Sequence, residues 1–311
     1  LGGGTMKLTT KISYAQALSE AIRMEMHRSP DVVCVATDGA AARSPITSDL
    51  LGAFGTERII KLEANIRPVS VAVGMAARGL KVICEARAQQ LGPEALAPLG
   101  ELDADAPGAV ILRIPDGGPE PGGPSTSPIE GRLFDTPHAK LVAPGTPADA
   151  KGMMVNCIRA AGSHCVLEAE ALYGSVGDVP EGSHVVEAGT ATVEVWGESP
   201  KVSVVSYGVG ARVVDRALEE AGVDAELIDL RSLRPLDRPA IIGSVGRTGK
   251  VVVVEPQGST RVSAEVAALV MAHAFEYLDG PLQRVELPAG SAREGDSPGE
   301  VAERIAELAG Y

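Results

Sequence analysis

VAVGMAARGLKVICEA, residues 71–86, compresses a helix, a glycine turn and a buried strand into one stretch. The run through Arg78 is small and apolar with helical spacing, Gly79 stops it, and KVICEA follows as a near-continuous apolar run. Such runs suit parallel strands buried on both faces. The same signature predicts strands at 32–37, 81–86, 108–114, 139–143 and 164–168, and later at 201–207, 225–229, 250–254 and 282–287. Capped amphipathic helices lie between them. Ser13 and Gln16 have capping-box spacing ahead of Ala17, Leu18, Ala21 and Ile22. Thr146-Pro147-Ala148-Asp149 opens a helix that stops near Gly162, and another runs from about Ala211 to Gly222. Strand–helix alternation of this kind implies an α/β fold with right-handed crossovers.

The chain has 311 residues, enough for two domains with separate cores. The stretch GSVGDVPEGSHVVEA, 174–188, is rich in glycine and turn residues and predicts a boundary between domains at 7–180 and 186–311. A second irregular stretch, PDGGPEPGGPSTSP at 115–128, falls inside the first domain. Loops that long in compact domains carry function or move.

Aromatics make up only 3% of the chain, so Val, Ala, Leu and Ile must build the cores. A net charge of −13 without a Lys/Arg cluster argues against gripping nucleic acid or an anionic membrane. No apolar run approaches the roughly 20 residues that span a bilayer. Leu1–Thr5 read as residues added ahead of a native Met6, without the apolar core of a signal peptide, so a cytoplasmic location is expected. Cys34, Cys84, Cys157 and Cys165 have no CxxC spacing and are expected to be buried reduced thiols. The five histidines lack metal-ligand spacing. No GxGxxG after a strand, GxxxxGK[ST], HExxH or GxSxG occurs. GVGAR at 208–212 reads as a tight strand-to-helix turn.

Longer segments carry more. SYAQALSEAIRMEM (13–26), LLGAFGTERII (50–60), VAVGMAARGLKVICEA (71–86), ADAKGMMVNCIRAA (148–161) and LEAEALYG (167–174) are followed by AELIDLRSLRPLDRPAII (225–242), KVVVVEP (250–256) and AFEYLDGPLQRV (274–285). In this order they resemble the β-subunit of the decarboxylating component of 2-oxo acid dehydrogenase complexes, a relative of the C-terminal half of transketolase. The resemblance covers about residues 11–308. It implies a pyrimidine-binding domain, with a mostly parallel sheet and helices on both faces, followed by a smaller transketolase C-terminal-type α/β domain. It also implies thiamine diphosphate as cofactor, with its diphosphate and magnesium held by a separate α-type chain on a GDG motif. No such motif occurs here, since AREGDSPG (292–299) has only the GD dipeptide. An α2β2 assembly is expected, and an acyl-carrier or lipoyl-type protein to receive the product.

The resemblance also shows where this chain departs. In relatives a Glu nine residues before the glycine that is here Gly74 shares a proton with the aminopyrimidine. That position is Asn65, which hydrogen-bonds but cannot exchange a proton near neutral pH. Glu63 is two residues away and would need a local bulge to serve. The aromatic residues that flank the ring map to about Ala88 and Leu91. A substrate-facing His in a GGxxHSxSPE-like loop maps to Ser125 and Thr126 of GGPSTSPIE, 122–130. Neither hydroxyl is an acid or base at neutral pH. Two readings follow: a thiamine-diphosphate enzyme subunit acting on a 2-oxo acid or ketose with Asn at the usual Glu position, or a non-catalytic partner that stabilises an α-type chain.

Overall fold

The computed structural model describes residues 8–37, 44, 46–47, 50–63, 65–102, 105–116, 129–256, 259–287 and 299–310. Its strands are β1 (Thr9–Ser13), β2 (Val32–Thr37), β3 (Ile59–Leu62), β4 (Lys81–Glu85), β5 (Ala109–Asp116), β6 (Lys140–Val142) and β7 (Gly162–Ala169). There follow β8 (Val176–Pro180), β9 (Thr192–Trp196), β10 (Ser203–Ser206), β11 (Ala225–Asp229), β12 (Ser232–Arg234), β13 (Val251–Pro256) and β14 (Gln283–Leu287). The helices are α1 (Tyr14–Arg28), α2 (Leu50–Arg58), α3 (Pro68–Ala76), α4 (Pro93–Glu101) and α5 (Ile129–Phe134). After them come α6 (Pro147–Arg159), α7 (Gly208–Ala221), α8 (Arg238–Thr248), α9 (Arg261–His273) and α10 (Gly299–Gly310). Every strand expected from an apolar run is present.

The chain forms two compact units. The first contains residues 1–115, 137–139 and 146–188, and the second contains 116–136, 140–145 and 189–311.

In the first unit the strands lie in the order β7-β5-β4-β2-β3. The pairs β2–β3, β2–β4 and β4–β5 are parallel. Both faces are covered, so all six residues of β2 are buried, as are Val82, Ile83, Cys84 and Glu85 of β4. That burial is why these strands read as unbroken apolar runs. The four cysteines are free and buried. Gly79, at φ +97, turns α3 into β4 in a conformation that side chains rarely adopt. β1 and β8 form a separate antiparallel ribbon, with Thr9 opposite Pro180 and Ser13 opposite Val176.

The capping box of α1 is made on both sides: Gln16 N donates to Ser13 Oγ, and Ser13 N donates to Gln16 Oε1. The helix buries Tyr14, Ala17, Leu18, Ala21, Ile22 and Met26. It also buries Glu25, to which Arg28 and Arg159 donate at 2.7 and 2.6 Å. Burial alone would raise the Glu25 pKa, but hydrogen bonds and charge from Arg159 and Arg28 outweigh it and leave it below the usual 4.5. A carboxyl depressed in the folded state stabilises fully above its unfolded pKa, and that stability is lost as pH falls through the folded value. Glu25→Gln is therefore expected to lower Tm at neutral pH. It should also flatten the decline of Tm with acid from about pH 5 downward. Thermal melts of both proteins across that range check this, and parallel acid limbs would contradict it.

In the second unit the sheet order is β14-β13-β10-β11-β9. β10, β11, β13 and β14 pair in parallel, and β9 is antiparallel to β11. β6 and β12, also in this unit, pair antiparallel with each other and not with this sheet, with Val142 opposite Ser232. Val204, Val214, Leu218, Leu227, Val252 and Ile305 lie in one aliphatic core. Gly208, at φ +53, bends β10 directly into α7, and Gly222 ends that helix in the left-handed conformation.

Candidate functional site

Between β2 and its two neighbours the first sheet reverses its winding direction. β3 follows β2 on one side, and the chain then crosses to place β4 on the other. Ligands of open α/β sheets bind at the carboxyl ends of strands at such a reversal. A cavity of about 130 Å³ lies there. Its walls come from Val35 and Ala36 of β2, Ile59 and Ile60 of β3, Ile83 of β4 and Leu51 of α2. Its polar groups come from Thr47, Lys61, Glu85 and Arg113.

Arg113 organises the charges. Glu85 and Arg113 face each other in the β4–β5 register. Arg113 Nη1 donates to Glu85 Oε2 at 2.7 Å. Its Nε and Nη2 fork onto both oxygens of Glu168 at 2.7 Å each, the geometry in which guanidinium binds carboxylate most firmly. Tyr173 Oη donates to Glu168 Oε2 at 2.8 Å. Arg113 and Glu168 are fully buried and Glu85 is 6% exposed. One guanidinium thus faces two carboxylates, and the array carries a net negative charge. Burial opposes the Arg113 charge, but Glu168 and Glu85 hold its pKa well above the ordinary value. Burial and the negative Glu168 push the Tyr173 phenol up as well, so it stays a hydrogen-bond donor.

Two further groups complete the lining. The Cys34 thiol is pushed up to about 12, first by burial. It is therefore an inert thiol rather than a nucleophile. Thr47 is 6% exposed, and its Oγ1 has no hydrogen-bond partner among the described residues. Buried hydroxyls are seldom left so.

The residues singled out from the sequence are distributed differently. Asn65 is exposed, in the turn between β3 and α3. Glu63 is exposed too, and its carbonyl accepts from Ile66 N at 3.0 Å. Ala88 and Leu91 are buried at 8% and 1% exposure, around the short turn that follows β4. None of these four lines the cavity. Ser125, Thr126 and residues 117–128 of the irregular loop lie outside the described residues. The sequence alone singles out none of Arg113, Glu168, Thr47 and Glu85. The available signal was a single charge closing each of three apolar runs, in KVICEA, GAVILRI and HCVLEA.

Solved structures carry the same α/β architecture. One described as split gene transketolase, inactive beta4 tetramer, superposes with a TM-score of 0.69 at 19% identity, over 96% of this chain and 99% of that one. The 2-oxoglutarate:ferredoxin oxidoreductase of Magnetococcus marinus gives 0.65 at 13% identity, over 97% of this chain and 66% of that one. These likenesses establish a transketolase-type fold, and the family model for the transketolase C-terminal domain matches residues 189–300.

Sequence relatives narrow the class. The pyruvate dehydrogenase E1 component subunit beta of Rhizobium meliloti is 33% identical over 87% of this chain, which spans 62% of that protein's length. The 2-oxoisovalerate dehydrogenase subunit beta of Pseudomonas aeruginosa is 31% identical, over 89% of this chain and 87% of its own. The acetoin:2,6-dichlorophenolindophenol oxidoreductase subunit beta of Cupriavidus necator is 30% identical, over 89% of both chains. The chain belongs to the family of β-subunits of 2-oxo acid dehydrogenase E1 components.

Proposed function

We propose that this chain is the β-type subunit of a two-chain thiamine-diphosphate enzyme that acts on a 2-oxo acid or ketose and passes a short acyl or ketol unit to a carrier. An α-type chain holds the diphosphate and magnesium, and the two pair as α2β2. The observation that carries this reading is the cavity at the sheet reversal, with an apolar wall and the polar pair Glu85 and Thr47. These oxygens can accept from a ring bearing N–H groups. They do not fit a diphosphate with its metal: among the described residues no cluster of three His, Cys, Asp or Glu side chains could hold a metal ion.

Bound thiamine diphosphate would supply the nucleophilic carbon and the electron sink that decarboxylation needs. This chain would contribute the rest of the ring's environment. Ile59, Ile60 and Ile83 exclude water from one side. Asn65 takes, in the register the resemblance implies, the place of the family's proton-exchanging Glu; it is exposed outside the cavity wall and, as an amide, exchanges no proton. Loss of a general base costs about 10²–10⁴ in rate, so turnover in this assembly is slow.

Calorimetric titration of thiamine diphosphate with magnesium into the chain co-expressed with its α-type partner tests the proposal. Saturable binding by the complex, with none by either chain alone, is the expected result. A stable complex that binds nothing would favour a second reading, in which the chain is a non-catalytic partner of the α-type subunit. The amide at position 65, where relatives carry the acid, is what favours that alternative.

A further inference from the structure

Glu85 is the one carboxylate that lines the cavity among the described residues, and its two oxygens differ. Oε2 accepts from Arg113 Nη1, while Oε1 has no hydrogen bond within the described protein. Arg113 cannot fully neutralise Glu85, because its forked edge is already committed to Glu168. A second group faces the same space independently. The Thr47 hydroxyl is more than nine-tenths buried, lines the cavity and has no hydrogen-bond partner among the described residues. A carboxylate oxygen that accepts and a hydroxyl that both donates and accepts, in an apolar cavity of about 130 Å³, complement a compact ring with an amino group and an acceptor nitrogen.

We infer that Glu85, not Asn65, is the residue through which this subunit holds the amino group of a bound aminopyrimidine, with Thr47 as the second contact. The inference deepens the thiamine-diphosphate reading and rests on it. Asn65 is exposed on the turn after β3 and does not line the cavity. Lys61 is the lining cation not committed to the buried carboxylates, and its ammonium carries donors only, so it cannot accept from the amino group. The Glu85 oxygen that Arg113 leaves free therefore favours an N–H donor.

The test uses the complex with the α-type chain and two probes, 4-amino-5-hydroxymethyl-2-methylpyrimidine and the analogue that lacks the amino group. The wild type is expected to prefer the amino compound by about tenfold to a hundredfold, the range for a hydrogen bond to a charged group. Glu85→Gln is expected to abolish that preference. Thr47→Val removes a hydroxyl that has no hydrogen-bond partner among the described residues, so folding is expected to be kept and affinity for both probes to fall. Thr47→Val also keeps the inference open to refutation should Glu85→Gln fail to fold, because unchanged affinity would overturn it. A preference that survives Glu85→Gln, or no wild-type preference, would overturn it as well. Failure of the broader reading is distinguished by the titration of the α-type complex. If Glu85→Gln leaves thiamine diphosphate binding intact there, only the inference falls. If the wild-type complex binds none, the reading falls.

Discussion

Arg113→Met is expected to destabilise the chain by about 3–5 kcal/mol, the penalty for removing one partner of a buried charge array. The substitution leaves Glu168, fully buried, and Glu85, at 6% exposure, with two negative charges and no cation between them. Three N–H donors vanish at once, each from a 2.7 Å bond. Tyr173 then remains as the donor to Glu168. Arg113→Lys keeps the charge but cannot fork onto Glu168 while reaching Glu85, so it should fall between. Replacing all three charges together, Arg113→Met with Glu85→Gln and Glu168→Gln, removes the repulsion and should recover most of the loss. Urea unfolding of the four proteins measures this. If Arg113→Met lies within about 1 kcal/mol of wild type, the triad does not balance charge in the core in the way described here.

The sequence carried the strands that are buried on both faces, because their apolar runs are short, rich in Val and Ile and bounded by turn residues. It hid β1, β3, β8, β9 and β12. β3 is four residues long and carries a lysine, and β12 is only three residues long. β8 lies within the glycine-rich stretch that reads as a boundary, and it pairs with the polar β1, whose first three residues are exposed. β9 alternates instead of running apolar, because it is an edge strand with Val195 facing out. α7 starts at Gly208, three residues before its apolar pattern, because a left-handed glycine turns the strand straight into the helix. The buried triad was illegible for another reason. Its partners are separated by 28 and 55 residues, so each looks like a stray charge until the sheet brings them together. Register arithmetic from Gly74 could name Asn65 as the departure from the family pattern, but could not say whether it faces a pocket.

Asn65→Glu is expected to raise 2-oxo acid decarboxylation by the complex with the α-type chain, because the longer acid extends from the exposed turn toward the ring, with about 10²–10⁴-fold, the usual worth of a positioned acid–base group, as the ceiling. The substitution should be tolerated. Asn65 is exposed in a turn, and surface changes away from packed groups usually stay within about 0.5 kcal/mol. Asn65→Gln separates chemistry from reach, because it is as long as Glu but still an amide that cannot exchange a proton, so it should give no gain. The contrast also divides labour between two positions. Glu85 governs how tightly the ring is held, so Glu85→Gln should act on cofactor affinity, whereas Asn65→Glu should act on turnover at saturating cofactor. Steady-state rates at saturating thiamine diphosphate, with cofactor affinities measured separately, resolve the two effects. Equal rates for wild type and Asn65→Glu in a complex that binds the cofactor would mean that the missing acid is not what limits this subunit. A chain that tolerates either side chain at that position without a change in rate is retained for its partner rather than for its chemistry.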